Sequence, residues 1–146
     1  LRAAGVRLAG ILDCEWWPAP AHAAVQELLH SGRRPRAFIC LNDRIALGSY
    51  EALTEAGIRL PDDLSVVSFD DSFLAGWLRP ALTSIALPHA DMGKLAVELL
   101  INGDGAGEHR VGMPVHRRES VTSPKRKPLT TRSRDAPAVV PEPPRR

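Results

Sequence analysis

The sequence predicts an α/β fold, a parallel sheet flanked by helices, and three stretches carry that prediction. Ala37-Phe38-Ile39-Cys40-Leu41 is a continuous apolar run of strand length without polar alternation, the mark of a strand buried on both faces. Ile45, Leu47, Tyr50, Leu53 and Ala56 then recur at helical spacing until Gly57 stops them. Leu64 to Phe69 is a second apolar run, ending in Asp70-Asp71. Strand, helix, strand in that order implies a right-handed crossover between parallel neighbours.

The remaining elements follow in chain order. Leu1-Arg2-Ala3-Ala4-Gly5 reads as the last turn of a helix closing on glycine, so the chain is expected to continue a longer polypeptide. Val6 to Leu12 is apolar with strand character, and Asp13 to Pro20, with Glu15, Trp16, Trp17 and two prolines, is a loop. Val25, Leu28 and Leu29 predict a helix over residues 21–31, closed by Gly32. Asn42 and Asp43 stand where their side-chain oxygens can cap the helix that begins near Arg44. Leu60-Pro61-Asp62-Asp63 is a turn. Residues 71–80, with Phe73, Leu74 and Trp77, form a loop or short helix, and Leu82 to Leu87 a small strand. Pro88 suits a first helical position, and Met92, Leu95, Ala96, Leu99 and Leu100 make an amphipathic helix ending at Asn102-Gly103. A last strand over residues 110–118 is interrupted by Gly112 and Pro114.

Length and charge narrow the function. The 146 residues suffice for one core and fall short of separate cofactor and substrate domains. No apolar run approaches the roughly 18 residues that span a bilayer. The net charge of +2 splits unevenly: residues 1–123 carry 12 Lys and Arg against 15 Asp and Glu, whereas residues 124–146 carry 7 against 2. The basic charge therefore belongs to a Pro-rich tail over 124–146, expected to be disordered, and the body carries no electrostatic footprint for nucleic acid. Cys14 and Cys40 are isolated, which fits a reducing cytoplasm, and the five histidines lack companion ligands at metal-binding spacing. Ser49 lies in a helical pattern rather than a nucleophile elbow, and Gly103, Gly105 and Gly107 follow a helix where a phosphate loop precedes one. No acid, base and nucleophile set marks an enzyme, and no metal or cofactor is implied.

What remains are polar groups at the carboxyl ends of buried strands, Asn42-Asp43 after the first and Asp70-Asp71 after the second. In open α/β sheets ligands bind outside those ends. A tryptophan face stacks on a sugar ring while amides and carboxylates bind its hydroxyls. The plainer alternative is that Asn42 or Asp43 only caps a helix, that Asp70-Asp71 only turns the chain, and that Trp16 and Trp17 only pack.

Arg36 through Gly48, Ala52 through Asp71, Pro80 through Ile85, Met92-Gly93, Pro114 and Arg118-Glu119-Ser120 together resemble the lac-repressor (LacI/GalR) family of transcription regulators. That resemblance covers nearly all of residues 1–120. It implies the carboxyl-terminal part of a periplasmic-binding-protein-like (type I) effector domain with an incomplete first lobe, over residues 1–123. It also implies effector contacts at Trp16, Asn42 and Asp70, with Asp43 as the neighbouring cap, and a dimer face near the helix after Pro88. The effector would be a sugar or a related polyol or nucleoside, bound weakly by this chain alone, with operator DNA read by a headpiece upstream. Three departures stand out. Ser68 replaces a glycine before Phe-Asp-Asp; His116-Arg117 replaces an apolar pair in a segment, 114–118, that runs about two residues short of the pattern; and the helix-turn-helix headpiece, the hinge helix and most of the first lobe, with its usual effector-binding arginine, are expected upstream of Leu1. A sugar-binding component of an importer and a dimerisation remnant without function are the alternatives.

Overall fold

The computed structural model describes residue 3 and residues 5–103 and 105–123. In chain order it runs α1 (Pro18–His30), β1 (Ala37–Ile39), α2 (Asp43–Glu55), β2 (Ser65–Asp70), α3 (Phe73–Trp77), β3 (Thr83–Ala86), α4 (His89–Asn102) and β4 (Val115–His116). The strands form one sheet in the order β1-β2-β3-β4. β1, β2 and β3 are parallel, with Ile39 opposite Val67 and Phe69 opposite Ile85, and β4 closes the edge antiparallel, with Ser84 opposite His116. The α/β architecture with a parallel sheet is as the apolar runs predict.

The core lies between the sheet and the pair α1 and α2. Val25 and Leu29 of α1 meet Ala46, Tyr50, Ala52 and Leu53 of α2 over Cys40, Leu64, Val66 and Leu82. α1 starts at Pro18 rather than Ala21, because proline at the first helical position gives up only an N–H that has no intrahelical acceptor. The two helices approach so closely at Gly48 that a Cβ there would stand 1.9 Å from the Pro18 carbonyl oxygen. Gly57 ends the α2 region with a φ of +69°, as its position in the helical pattern requires.

At the amino ends of β2 and β3 the two strands are bridged by the returning chain. The fully buried Ser120 accepts from the Thr83 amide at 2.8 Å and donates to the Val66 carbonyl at 2.6 Å, while its own carbonyl accepts from Val66 N–H at 2.9 Å. The Tyr50 phenol is buried beside this serine, and burial pushes it up to about 12.

Four expectations need correction. Val6 to Leu12 is not a strand: among the described residues no ladder runs beside it, its one tie is Arg33 donating to the Ala9 carbonyl at 2.9 Å, and Ile11 is 83% exposed. The run 37–41 is not buried on both faces, since Phe38 and Cys40 pack on the core while Ile39 and Leu41 are about half exposed. Covering that second face would take another layer, and no residue of α4 is buried. The last strand shrinks to Val115–His116, because Gly112 favours no strand and Pro114 has no N–H to give, although its carbonyl still accepts from Ala86. Pro88 is not the first helical residue but the N-cap, one place before α4.

The expected helix end at the amino terminus and the expected disordered tail fall largely outside the described residues, although Gly5 has the left-handed φ of +68° of a closing glycine. No helix among the described residues is long and apolar enough to cross a membrane.

The contact at Gly48 is backbone against backbone, so no rotamer change relieves it. Gly48→Ala is expected to destabilise the chain by about 3 kcal/mol, read as a lower urea midpoint. A midpoint equal to that of the native sequence would refute this account of the α1–α2 contact.

Candidate functional site

The carboxyl ends of β1 and β2 gather the polar residues that the sequence singles out. Asn42 is the N-cap of α2: its Oδ1 accepts from the Ile45 amide at 2.7 Å, satisfying a donor that the first helical turn leaves free. Its Nδ2 points the other way and donates to the Trp16 carbonyl at 3.5 Å, so the tryptophan loop is tied to the strand end. β1 ends at Ile39 opposite Val67, and beyond it the backbone amide of Asp43, the residue after Asn42, reaches the Asp70 carboxyl.

Asp43, only 1% exposed, is the centre of this end of the sheet. Its Oδ1 accepts from the Ser68 hydroxyl at 2.5 Å and the Ser84 hydroxyl at 2.9 Å. Its Oδ2 accepts from the Ser72 amide at 2.7 Å and the Ser72 hydroxyl at 2.9 Å. One carboxylate thus joins the start of α2 to β2, β3 and the N-cap of α3. Ser68, which departs from the family pattern, has its hydroxyl fully employed here.

Beyond that buried layer the chain turns through two left-handed residues, Asp70 at φ +100° and Asp71 at φ +53°. Such angles are uncommon for residues with a Cβ and persist only where the surroundings enforce them. Asp70 is half-buried. Its carboxyl is raised by burial and then by the charge of Asp43, against an opposing hydrogen bond from the Asp43 amide and the nearby His89 and Arg44 side chains. Burial acts upward on Asp71 too, but the Arg118 guanidinium and the His116 ring beside it bring its carboxyl below the ordinary range. The Asp71 amide donates to Ser84 Oγ at 3.0 Å.

Trp16 and Trp17 are both more than half exposed. The two differ in their neighbours: the Arg44 guanidinium lies 4.7 Å from the Trp17 ring centroid, a cation–π arrangement. An open concavity of about 570 Å³ is lined by Asp13, Cys14, Glu15, Trp16 and Trp17. The structure therefore brings Asn42 and Asp70 together at adjacent strand ends and attaches Trp16 through its backbone. It also shows that both polar atoms of Asn42 have partners within the chain. Among the described residues no three acidic, His or Cys groups cluster to hold a metal. Burial pushes the Cys40 thiol up to about 12, leaving it an inert core group.

Residues 2–121 match the periplasmic binding protein-like domain family. The chain belongs to that family. The ribose operon repressor of Haemophilus influenzae is 47% identical over 77 residues, which are 53% of this chain and 23% of the repressor. The transcriptional regulator AscG of Escherichia coli is 33% identical over 121 residues, 80% of this chain and 36% of AscG. The lac repressor dimer bound to operator and the anti-inducer ONPF superposes with a TM-score of 0.77 at 25% identity, covering 84% of this chain and 44% of that one. The LacI/GalR resemblance drawn from the motifs holds, and so does the periplasmic-binding-protein-like fold. This chain spans about a quarter to a third of the length of the two curated relatives. In this periplasmic binding protein-like domain Asp43 and the three serines are the groups that sequence reasoning left unassigned or assigned only to capping.

Removing the Asp43 carboxylate strands the hydroxyls of Ser68, Ser72 and Ser84 and one amide. Asp43→Ala is expected to cost about 3 kcal/mol or more in urea unfolding, and a loss within about 1 kcal/mol would contradict its central role. Asp71 adds an acid dependence. Because its folded pKa is depressed, its contribution is present above the unfolded value near about 4 and is lost as pH falls through the folded value. Between about pH 7 and about pH 3 the urea midpoint of the native chain is expected to fall further than that of Asp71→Asn. Parallel pH profiles would show that Asp71 contributes nothing.

Proposed function

We propose that this chain is part of the ligand-sensing domain of a LacI/GalR-type transcription regulator, with residues 1–123 as the sensor segment and 124–146 as an appended tail. The effector is a small polyhydroxylated molecule, a sugar or a related polyol or nucleoside. Trp16 supplies the stacking face, while Asn42 and Asp70 bind hydroxyl groups. The observation that carries this reading is Asp70: a half-buried carboxylate on a left-handed strand end, beside the Asp43 amide that follows Asn42, at the carboxyl end of a parallel strand. A carboxylate so placed accepts two hydroxyl donors from a ligand with little loss of side-chain freedom.

The chain works without a cofactor or catalytic chemistry, in the cytoplasm, as part of a homodimer. Operator DNA is read by a segment outside these 146 residues, in keeping with the 23% and 36% of the two curated relatives that the matches cover. Ribose leads the candidates because a ribose operon repressor is among the relatives. The importer alternative loses ground for the same reason, since both curated relatives are regulators of transcription.

Isothermal titration of the chain with D-ribose and a panel of pentoses, hexoses, polyols and nucleosides tests the reading. Weak, roughly millimolar binding of at least one compound is expected, with Asp70→Asn weakening it by about tenfold or more. If no member of the panel binds, or if Asp70→Asn binds as the native chain does, the assignment of Asp70 to the effector fails.

A further inference from the structure

β4 is held to the sheet by an unusual means. Its ladder with β3 is two residues long and both are exposed; the backbone ties beyond it lie at Pro114, whose carbonyl accepts from Ala86, and at Glu119 and Ser120, whose amides donate to Ala81, so little backbone pairing holds residues 116–118 between them. The side chains make up the difference. His116 Nδ1 meets Asp71 Oδ2, and the Arg118 guanidinium lies 2.7 Å from Asp71 Oδ1 while also donating to the Leu82 carbonyl at 2.8 Å. The Arg118 amide donates to Thr83 Oγ1 at 2.9 Å. Across the ladder from His116 stands the uncharged Ser84, whose hydroxyl is committed to Asp43. Asp71 is therefore gripped from β4 by two basic side chains, and its own side chain is only 12% exposed.

Asp71 directly follows the proposed effector residue, and both hold left-handed backbone angles that L-residues seldom adopt without enforcement. The Asp71 amide on Ser84 and the Ser72 amide on Asp43 secure the turn from the sheet side. The basic pair secures it from the other. We propose that His116 and Arg118 are positioning residues for the effector carboxylate: acting through Asp71, they hold the left-handed strand end that sets the direction of Asp70. The inference rests on the assignment of Asp70 to the effector made above. His116 stands where the LacI/GalR resemblance has an apolar residue, so this half of the clamp is a feature of this chain.

Amide hydrogen exchange on the full 146-residue chain reads the clamp without any ligand. In the His116→Ala/Arg118→Ala double variant the amides of Asp71 and Ser72 are expected to exchange about tenfold faster, while those inside α2, such as Ala52 and Leu53, stay within about twofold. His116→Gln, which keeps a hydrogen-bonding side chain at a half-exposed position, is expected to retain most of the protection in an otherwise native chain. With D-ribose as the probe, the double variant is expected to bind about tenfold more weakly than the native sequence. Unchanged exchange at Asp71 and Ser72, or equal acceleration throughout the core, overturns the clamp. Faster local exchange with unchanged D-ribose affinity overturns the positioning role and leaves the effector reading intact. If the native chain binds no D-ribose, the effector reading loses its leading ligand, and the exchange result decides the clamp by itself.

Discussion

The buried Asp43 carboxylate is the constraint on which the upper end of the sheet depends. A charge removed from water is costly unless its lone pairs are filled, and among the described residues no cation pairs with it: three hydroxyls and one amide fill them instead. Hydrogen bonds to a charged acceptor contribute about 1.5–3 kcal/mol each, so four of them offset a large desolvation cost. The position at the start of α2 adds a favourable field, because the exposed N–H groups of a first turn stabilise negative charge. Directionality matters as much as energy. The four donors come from β2, β3 and α3, and the carboxylate fits them only if those elements stand in one relation to α2.

That relation is what gives the candidate site its geometry. With β2 and β3 locked to α2, the chain after Phe69 cannot continue as a relaxed strand, and Asp70 and Asp71 absorb the turn in left-handed conformations. Strain of this kind costs on the order of 1–3 kcal/mol per residue and survives where the neighbourhood overdetermines it. Here Asp43 restrains Ser72, Ser84 restrains Asp71, and Arg118 and His116 close the side facing the sheet edge. The direction of the Asp70 carboxylate is thus set by the fold itself, as the proposed ligand role requires.

The elements that were legible in the sequence are those whose signals are local. The N-cap at Asn42, the periodicity from Ile45 to Leu53 and the stop at Gly57 describe α2 almost completely, because a helix satisfies its own backbone. Strands do not, and this is why Val6 to Leu12 read as a strand and is none: an apolar run needs a neighbouring ladder that a short window cannot reveal. The same holds for residues 37–41, where unbroken hydrophobicity foretells two buried faces but one lacks its cover. At the site, Asn42 and Asp70 could be picked out because they end buried strands. Ser68 stood in view as a departure without a role, and Ser84 and Arg118 carried no signal, since their partners lie far along the chain at Asp43 and Asp71. Their function is a matter of register between β2, β3 and β4, which only the folded sheet supplies.

The distribution of apolar surface bears on how tightly such a site can hold a ligand. Val97, Leu100 and Ile101 of α4 face water, as do Ile39, Leu41, Phe73 and Trp77 near the strand ends. Exposed large side chains in this number are unusual for a domain that stands alone. On the proposed reading, a strand end open on one side leaves most of a sugar in water. Each hydroxyl bound by Asp70 or Asn42 then replaces a water contact of nearly equal strength, and little apolar area is removed from solvent in compensation. The polar groups of this strand end can orient a ligand and discriminate among hydroxyl patterns, but high affinity requires a second surface to exclude the water around them.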